Sequence, residues 1–233
     1  MIPSFAPEPS PSRSARTAGK RIAAVLCGGR ARRMGRPKHR LPLGEGTLLE
    51  HMVRIVSSTV DETAVVAAAD DPGPFPAGIH LLRDREEYAG PLAALAVVLD
   101  AFPECDGVFL TACDLPLLRA ELITLLWDTA DAHREAAAVV PKPNEYPEPL
   151  AAVYRPQVSA SVHRLLAAGE RRLYRVFDDV SVCYLSAETL RRADPQLLSF
   201  RNMNTPDEYR AIREQLERKR PPRDAPPPGN RDR

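Results

Sequence analysis

Between residues 20 and 216, short apolar, β-branched runs alternate with longer amphipathic stretches. Ile22–Cys27 reads as a first strand, Thr63–Ala69 as a second and Ile79–Arg83 as a third. Gly107–Cys113 is apolar without polar alternation, the pattern of a strand buried on both faces. Ala136–Val140, Leu150–Tyr154 and Val182–Leu185 supply three more strands. The intervening helices are expected over Leu48–Ser58, Leu92–Ala101, Leu118–His133 and Gln157–Ala168, with a terminal helix from Pro206. In the first of these, Leu48, Leu49, Met52, Ile55 and Val56 fall on one helical face. Strands alternating with helices predict an α/β fold: a mostly parallel twisted sheet, right-handed crossovers and helices on both faces. Ligands of such sheets bind beyond the carboxyl ends of the strands. That rule singles out Gly28-Gly29, Asp84 and Asp114.

Residues 1–19 are rich in Pro, Ser and Ala and carry no periodicity, so they read as a disordered leader. Residues 217–233 read as a disordered basic tail, with docking to nucleic acid or a partner as the alternative. The part after Tyr146 reads as an extension of the same domain, giving one domain over residues 20–216.

Composition narrows the function. A formal net charge of +1 removes any bulk electrostatic case for nucleic acid or an anionic membrane. No apolar run is long enough to span a bilayer, and the N-terminus lacks the apolar core of a secretory signal. The four cysteines, Cys27, Cys105, Cys113 and Cys183, are widely scattered, which suggests neither a zinc site nor a disulfide framework. Each is expected to pack as a small core residue, and the expected compartment is the cytoplasm.

The densest chemistry lies in residues 22–38, IAAVLCGGRARRMGRPK. Gly28 and Gly29 permit a backbone path and a closeness to ligand that a Cβ would block. Arg30, Arg32, Arg33 and Lys38 supply charge to neutralise a polyphosphate. Neither GxxxxGK[ST] nor GxGxxG is present, so this is not a P-loop and not a dinucleotide fingerprint.

Asp114 ends a buried strand and precedes Leu115-Pro116. It suits Mg²⁺, which takes one or two carboxylates plus substrate phosphates. Its structural alternative is an N-cap with Pro116 in the first helical turn. Asp84 either contacts a nucleotide or is a turn residue paired with Arg83 or Arg85. Thr205, Pro206, Asp207 and Glu208 read as a cap opening the last helix. Asn202 and Asn204 are not explained by capping and would face the same side of an extended segment. No Ser-His-Asp or Cys-His arrangement is apparent. These parts fit nucleotidyl transfer, which relies on positioning and charge neutralisation more than on a protein nucleophile. A nucleotide-binding regulatory module is the non-enzymatic alternative.

At these residues the chain resembles the MobA-like NTP transferases, and within them the molybdenum cofactor branch. LCGGRARRMGRPK matches the LxGGxxxRMGxxK signature. Further matches are Asp84 with Gly90–Leu92, ACDLP around Asp114, EPLAAVY (148–154), AGERR (168–172) and NMNTPDE (202–208). The resemblance spans about residues 20–215. It implies a Rossmann-like nucleotidyltransferase fold with one antiparallel strand near the end of the sheet. It also implies Mg²⁺-dependent transfer of GMP from GTP to molybdenum-bound molybdopterin, releasing pyrophosphate. Carried over by position, Leu26, Cys27, Gly28 and Gly29 would hold the nucleotide, Lys38 and Arg33 its phosphates, and Asp84 the nucleotide as well. Asp114 would bind metal and nucleotide, making Lys38, Arg33 and Asp114 the catalytic set. Arg171, Arg172, Asn202 and Asn204 would lie toward the pterin. Molybdenum insertion proteins or acceptor molybdoenzymes are the implied protein partners.

The chain departs from the guanine-using pattern in three places. MGRPK is one residue shorter before the lysine than many guanylyltransferases, and resembles the related cytidylyltransferases. Val65–Ala69 lacks an asparagine, and an HPT-like segment is replaced by Tyr146–Pro149. Gly28 points the other way, because the cytidine branch tends to alanine there. Transfer of CMP, or of a nucleotide to a sugar phosphate, are the enzymatic alternatives.

Overall fold

A computed structural model describes residues 19–27, 37–84 and 90–218. Nine strands and six α-helices lie among them, beginning with β1 (Arg21–Cys27), β2 (Pro42–Leu43), β3 (Gly46–Thr47) and α1 (Leu48–Ser57). Then come β4 (Glu62–Ala67), β5 (His80–Arg83), α2 (Pro91–Ala101), β6 (Gly107–Ala112) and α3 (Ala120–Ala132). The chain continues through β7 (Ala138–Lys142), β8 (Ala151–Tyr154), α4 (Ser159–Ala167), β9 (Val182–Ser186), α5 (Ala187–Leu190) and α6 (Pro206–Arg218). Seven strands form one sheet in the order β5-β4-β1-β6-β8-β7-β9, and β2 and β3 make a separate small hairpin. All neighbours are parallel except β8, which runs antiparallel to both β6 and β7. The expected α/β architecture, with its single reversed strand, is the observed one. The segment after Tyr146 adds β8 and β9 to the same sheet.

Strand alternation divides the core into two layers. Ala23, Val25 and Cys27 of β1 face a layer closed by α1, α3 and α6, through side chains such as Met52, Leu126 and Ile212. Ile22, Ala24 and Leu26 face the opposite layer, closed by α2 and α4 through Leu95 and Val162. The central strands β1, β4 and β6 are therefore covered on both sides, which is why their sequences show no polar alternation.

Two helices start at reciprocal caps. Thr47 caps α1 reciprocally: Glu50 N donates to Thr47 Oγ1 (3.2 Å) and Thr47 N donates to Glu50 Oε2 (2.6 Å). Thr205 and Glu208 repeat the device at α6, at 3.2 and 2.9 Å. The helix after Asp114 begins only at Ala120, with Arg119 at its cap. The capping alternative for Asp114 is thereby overturned: the helix starts too far along the chain for Asp114 to reach its first N–H groups.

The amino end of the sheet carries a dense ion cluster. Asp106, just before β6, accepts from Arg134 (2.8 Å) and Arg155 (3.2 Å) and lies 3.9 Å from Arg21 Nε. Arg155 Nη2 donates to the Ala130 carbonyl at 2.6 Å, and Arg21 also pairs with Asp131. These groups join β1, β6, β8 and α3 away from the ligand end. Among the described residues, no helix is long and apolar enough to cross a membrane.

Candidate nucleotide site

A cavity of about 870 Å³ opens at the carboxyl ends of β1, β4, β5 and β6. Its described lining includes Leu26 and Cys27 from β1, Lys38, Asp71, Asp84 after β5, and Asp114 after β6. The sheet rule thus locates it correctly. Gly28, Gly29, Arg30, Arg32 and Arg33 lie outside the described residues.

Lys38 opens a short 3-10 turn, Lys38–Arg40. Its Nζ donates to Asn204 Oδ1 at 2.7 Å, joining two motifs separated by 166 positions. The Asn204 oxygen is neutral, so it orients the ammonium without cancelling its charge. Asn204 and Asn202 are both exposed and flank Met203, which is fully buried. Met203 N donates to the Asp114 carbonyl at 2.9 Å. The backbone of Asp114 therefore ties the asparagine segment to the tip of β6.

Asp114 is half-buried. Burial pushes its carboxyl above the ordinary carboxylate range, against the pull of the Lys38 ammonium. Asp84 is raised by burial as well, and its Oδ1 is buried without a hydrogen-bond partner among the described residues. An orphaned buried carboxylate oxygen is costly in a folded protein, and this one belongs to a residue that lines the cavity. The expected pairing of Asp84 with Arg83 is not what forms. Arg83 Nη1 donates instead to the Ala68 (2.9 Å) and Asp71 (2.8 Å) carbonyls and lies 5.1 Å from the Phe75 ring centroid. Arg85 lies outside the described residues.

A second wall was not anticipated from the sequence. Asp71 accepts from Gly73 N at 3.0 Å and from Arg40, and His39 Nε2 lies 3.1 Å from its Oδ2. Burial works against the Asp71 charge, but these donors outweigh it and hold the carboxyl below its usual range. Glu148 is the other missed residue. The β6–β8 ladder ends at Thr111 with Ala151, and beyond it Glu148 lies close enough for the Asp114 charge to act on it. Burial pushes the Glu148 carboxyl up, and the Asp114 charge adds to it. The signal was available as a carboxylate just ahead of a strand, but the pairing partner of that strand was not.

The residues expected toward the pterin, Arg171, Arg172, Asn202 and Asn204, are not among the described lining of the cavity. Gly90 (φ +85°) starts α2, and a Cβ built there would meet the Arg171 carbonyl at 3.3 Å. The glycine thus lets the 168–172 segment close against the cavity edge. Arg172 is exposed and clamped by Glu170, with Nε to Oε1 at 2.9 Å and Nη2 to Oε2 at 2.7 Å. That clamp, with two backbone donors, holds the Glu170 carboxyl down at about 2.

Cations, hard oxygen donors and a strand-end cavity suit a nucleoside polyphosphate, and comparison with known proteins agrees. Residues 23–182 match the MobA-like NTP transferase domain. The chain belongs to the MobA-like NTP transferase family. A Methanothermobacter thermautotrophicus protein named probable molybdenum cofactor guanylyltransferase is 32% identical over 199 residues, covering 80% of this chain and 96% of its own. A Mycobacterium tuberculosis protein of the same name is 41% identical over 161 residues, covering 66% of this chain and 77% of its own. The crystal structure of molybdopterin-guanine dinucleotide biosynthesis protein A from Archaeoglobus fulgidus matches with a TM-score of 0.72 at 26% identity, covering 84% of this chain and 99% of that one. The 2-C-methyl-D-erythritol 4-phosphate cytidylyltransferase of Thermus thermophilus shares the fold, with a TM-score of 0.61 at 17% identity, over 84% of this chain and 98% of that one. As a MobA-like NTP transferase, the chain is a nucleotidyltransferase.

Proposed function

We propose that this chain transfers GMP from GTP to the terminal phosphate of molybdenum-bound molybdopterin, with release of pyrophosphate. The observation that carries the reading is the convergence of Lys38, Asn204, Asp114 and Asp84 on one strand-end cavity. The shared name of the relatives supports guanine as the base and the pterin as acceptor.

In this reading an oxygen of the acceptor phosphate attacks the α-phosphorus of GTP. The bond from that phosphorus to the β-phosphate bridging oxygen breaks, and pyrophosphate leaves. Lys38, oriented by Asn204, neutralises charge on the transferred and departing phosphates, and Arg33 adds to it. Leu26, Cys27, Gly28 and Gly29 hold the nucleotide at the tip of β1. Asp84 accepts a donor from the nucleotide with its otherwise orphaned oxygen. Asn202, Arg171 and Arg172 face the acceptor.

The donor set also fits Mg²⁺. Among the described residues no group of three or more His, Cys, Asp or Glu side chains could hold a metal by itself. Mg²⁺ does not need one, since it keeps phosphate and water oxygens beside one or two carboxylates. Asp114 would hold it, with the Glu148 carboxyl close enough to feel the Asp114 charge. Bound there, the ion would supply further neutralisation of phosphate charge.

The deciding experiment measures pyrophosphate release with molybdopterin as acceptor, GTP competing against CTP, ATP and UTP. Preferential use of GTP supports the proposal. Preferential use of CTP would move the chain to the cytidylyltransferase reading. GTP binding with no release from any nucleotide would leave a binding module.

A further inference from the structure

The four cysteines are scattered in sequence, yet the fold brings two of them into contact. Cys27 Sγ and Cys113 Sγ lie 3.5 Å apart. Both residues are buried, and both line the cavity at its β1 and β6 walls. The parallel register explains the contact: Leu26 pairs with Ala112, and the next residue on each strand is a cysteine. Neighbouring strands run about 4.7–4.9 Å apart. That lies within the roughly 4.4–6.8 Å Cα separation that a disulfide spans, and closure needs only side-chain movement to an S–S distance of about 2.05 Å. Cys105 and Cys183 pack in other parts of the core.

We propose that Cys27 and Cys113 form an oxidisable dithiol in the wall of the nucleotide cavity, which closes to an intramolecular disulfide. The oxidant is a hydroperoxide. One sulfur, as thiolate, attacks a peroxide oxygen, the O–O bond breaks, and a sulfenic acid and water result. The second sulfur then attacks the sulfenic sulfur, the S–S bond forms, and a second water leaves. Two thiols and one hydrogen peroxide give one disulfide and two waters, and a dithiol reductant reverses the change. Access to peroxide is through the cavity, so a nucleotide seated there shields the pair. This last step rests on the proposed function.

The test uses the full chain treated with hydrogen peroxide, remaining thiols blocked with iodoacetamide, and peptide mapping by mass spectrometry. The expected product has lost two of its four thiols and two hydrogens, carries no interchain crosslink, and yields a Cys27–Cys113 linked peptide that dithiothreitol removes. Cys113→Ser and Cys113→Ala, each checked for native circular dichroism, should not form it. A wild-type chain in which Cys105 or Cys183 oxidises while Cys27 and Cys113 stay reduced or unlinked overturns the proposal. With GTP and Mg²⁺ at about ten times the dissociation constant, closure should slow roughly tenfold. GTP binding is measured separately by equilibrium dialysis. If GTP binds and closure is unaffected, the pair does not lie under the ligand. If GTP does not bind while the linked peptide still forms, the function reading fails and the dithiol stands.

Discussion

The two ends of the same sheet treat charge in opposite ways. At the amino end, Asp106 is enclosed by Arg21, Arg134 and Arg155, and each charge meets its opposite, although Arg21 Nε and Arg155 Nε are buried without a hydrogen-bond partner among the described residues. At the carboxyl end, Asp84 leaves an oxygen without a hydrogen-bond partner among the described residues, the Asp114 charge acts on the like charge of Glu148, and Lys38 is held by a neutral amide. The first arrangement lowers the energy of the folded chain by itself. The second raises it until a ligand supplies the missing partners, the usual signature of a site selected for function over stability. The largest test of this contrast is Asp106→Ala. Removing one member of a buried ion cluster leaves uncompensated charge, and the expected loss is about 3–5 kcal/mol of folding stability. Denaturant titration would measure it, and activity per folded molecule should be near wild type. A loss within error would show that the cluster is solvated and that the contrast is false.

Asp114→Asn should behave in the opposite way. The Asp114 carbonyl still receives Met203 N, so the fold is retained. Turnover should fall about 10²–10³-fold, the usual cost of removing one preorganised charge from a reacting centre. Unchanged pyrophosphate release would remove Asp114 from the proposed chemistry. Lys38→Ala should follow with a smaller effect, weakening nucleoside triphosphate affinity by roughly 1.5–3 kcal/mol, the value of a hydrogen bond to a charged group. Arg172→Ala is its internal control, because Glu170 already neutralises that cation. Dialysis should show GTP affinity lost in the first variant and largely kept in the second. Equal losses would mean that the two cations serve the same phosphates.

The legibility of the molecule divides along a similar line. β6 was readable because six consecutive residues report their own burial. The α6 cap was readable because Thr205 and Glu208 lie within one turn. The β2–β3 hairpin was missed because two-residue strands carry no periodicity. Asp114 was found, but its choice between cap and ligand needed the start of α3, which lies two residues later than the pattern implied. Contacts between distant segments were the hardest. The Lys38–Asn204 hydrogen bond, the Asp71 wall, the Cys27–Cys113 contact and the closeness of Asp114 to Glu148 all depend on which strands or loops are neighbours. Periodicity identifies strands without ordering them.

Glu148→Gln gives the smallest effect and the sharpest test of the contrast, because its sign is inverted. Burial and the Asp114 charge hold the Glu148 carboxyl above its unfolded value. The folded chain therefore binds that proton more tightly than the unfolded chain does. Stability falls as pH rises from the unfolded pKa through the raised folded one, and the cost is fully present at neutral pH. Glutamine keeps an oxygen for Leu150 N, which donates to Glu148 Oε1 at 3.3 Å, and removes the charge. The ligand-free variant should gain about 0.5–2 kcal/mol at pH 7, the range of a relieved site charge. Its advantage over wild type should vanish at low pH, where both are uncharged. Paired thermal melts across pH would read the effect. A variant less stable than wild type at pH 7 would mean that Glu148 is stabilised by its surroundings, and the ligand end of the sheet would then be as self-compensated as the other.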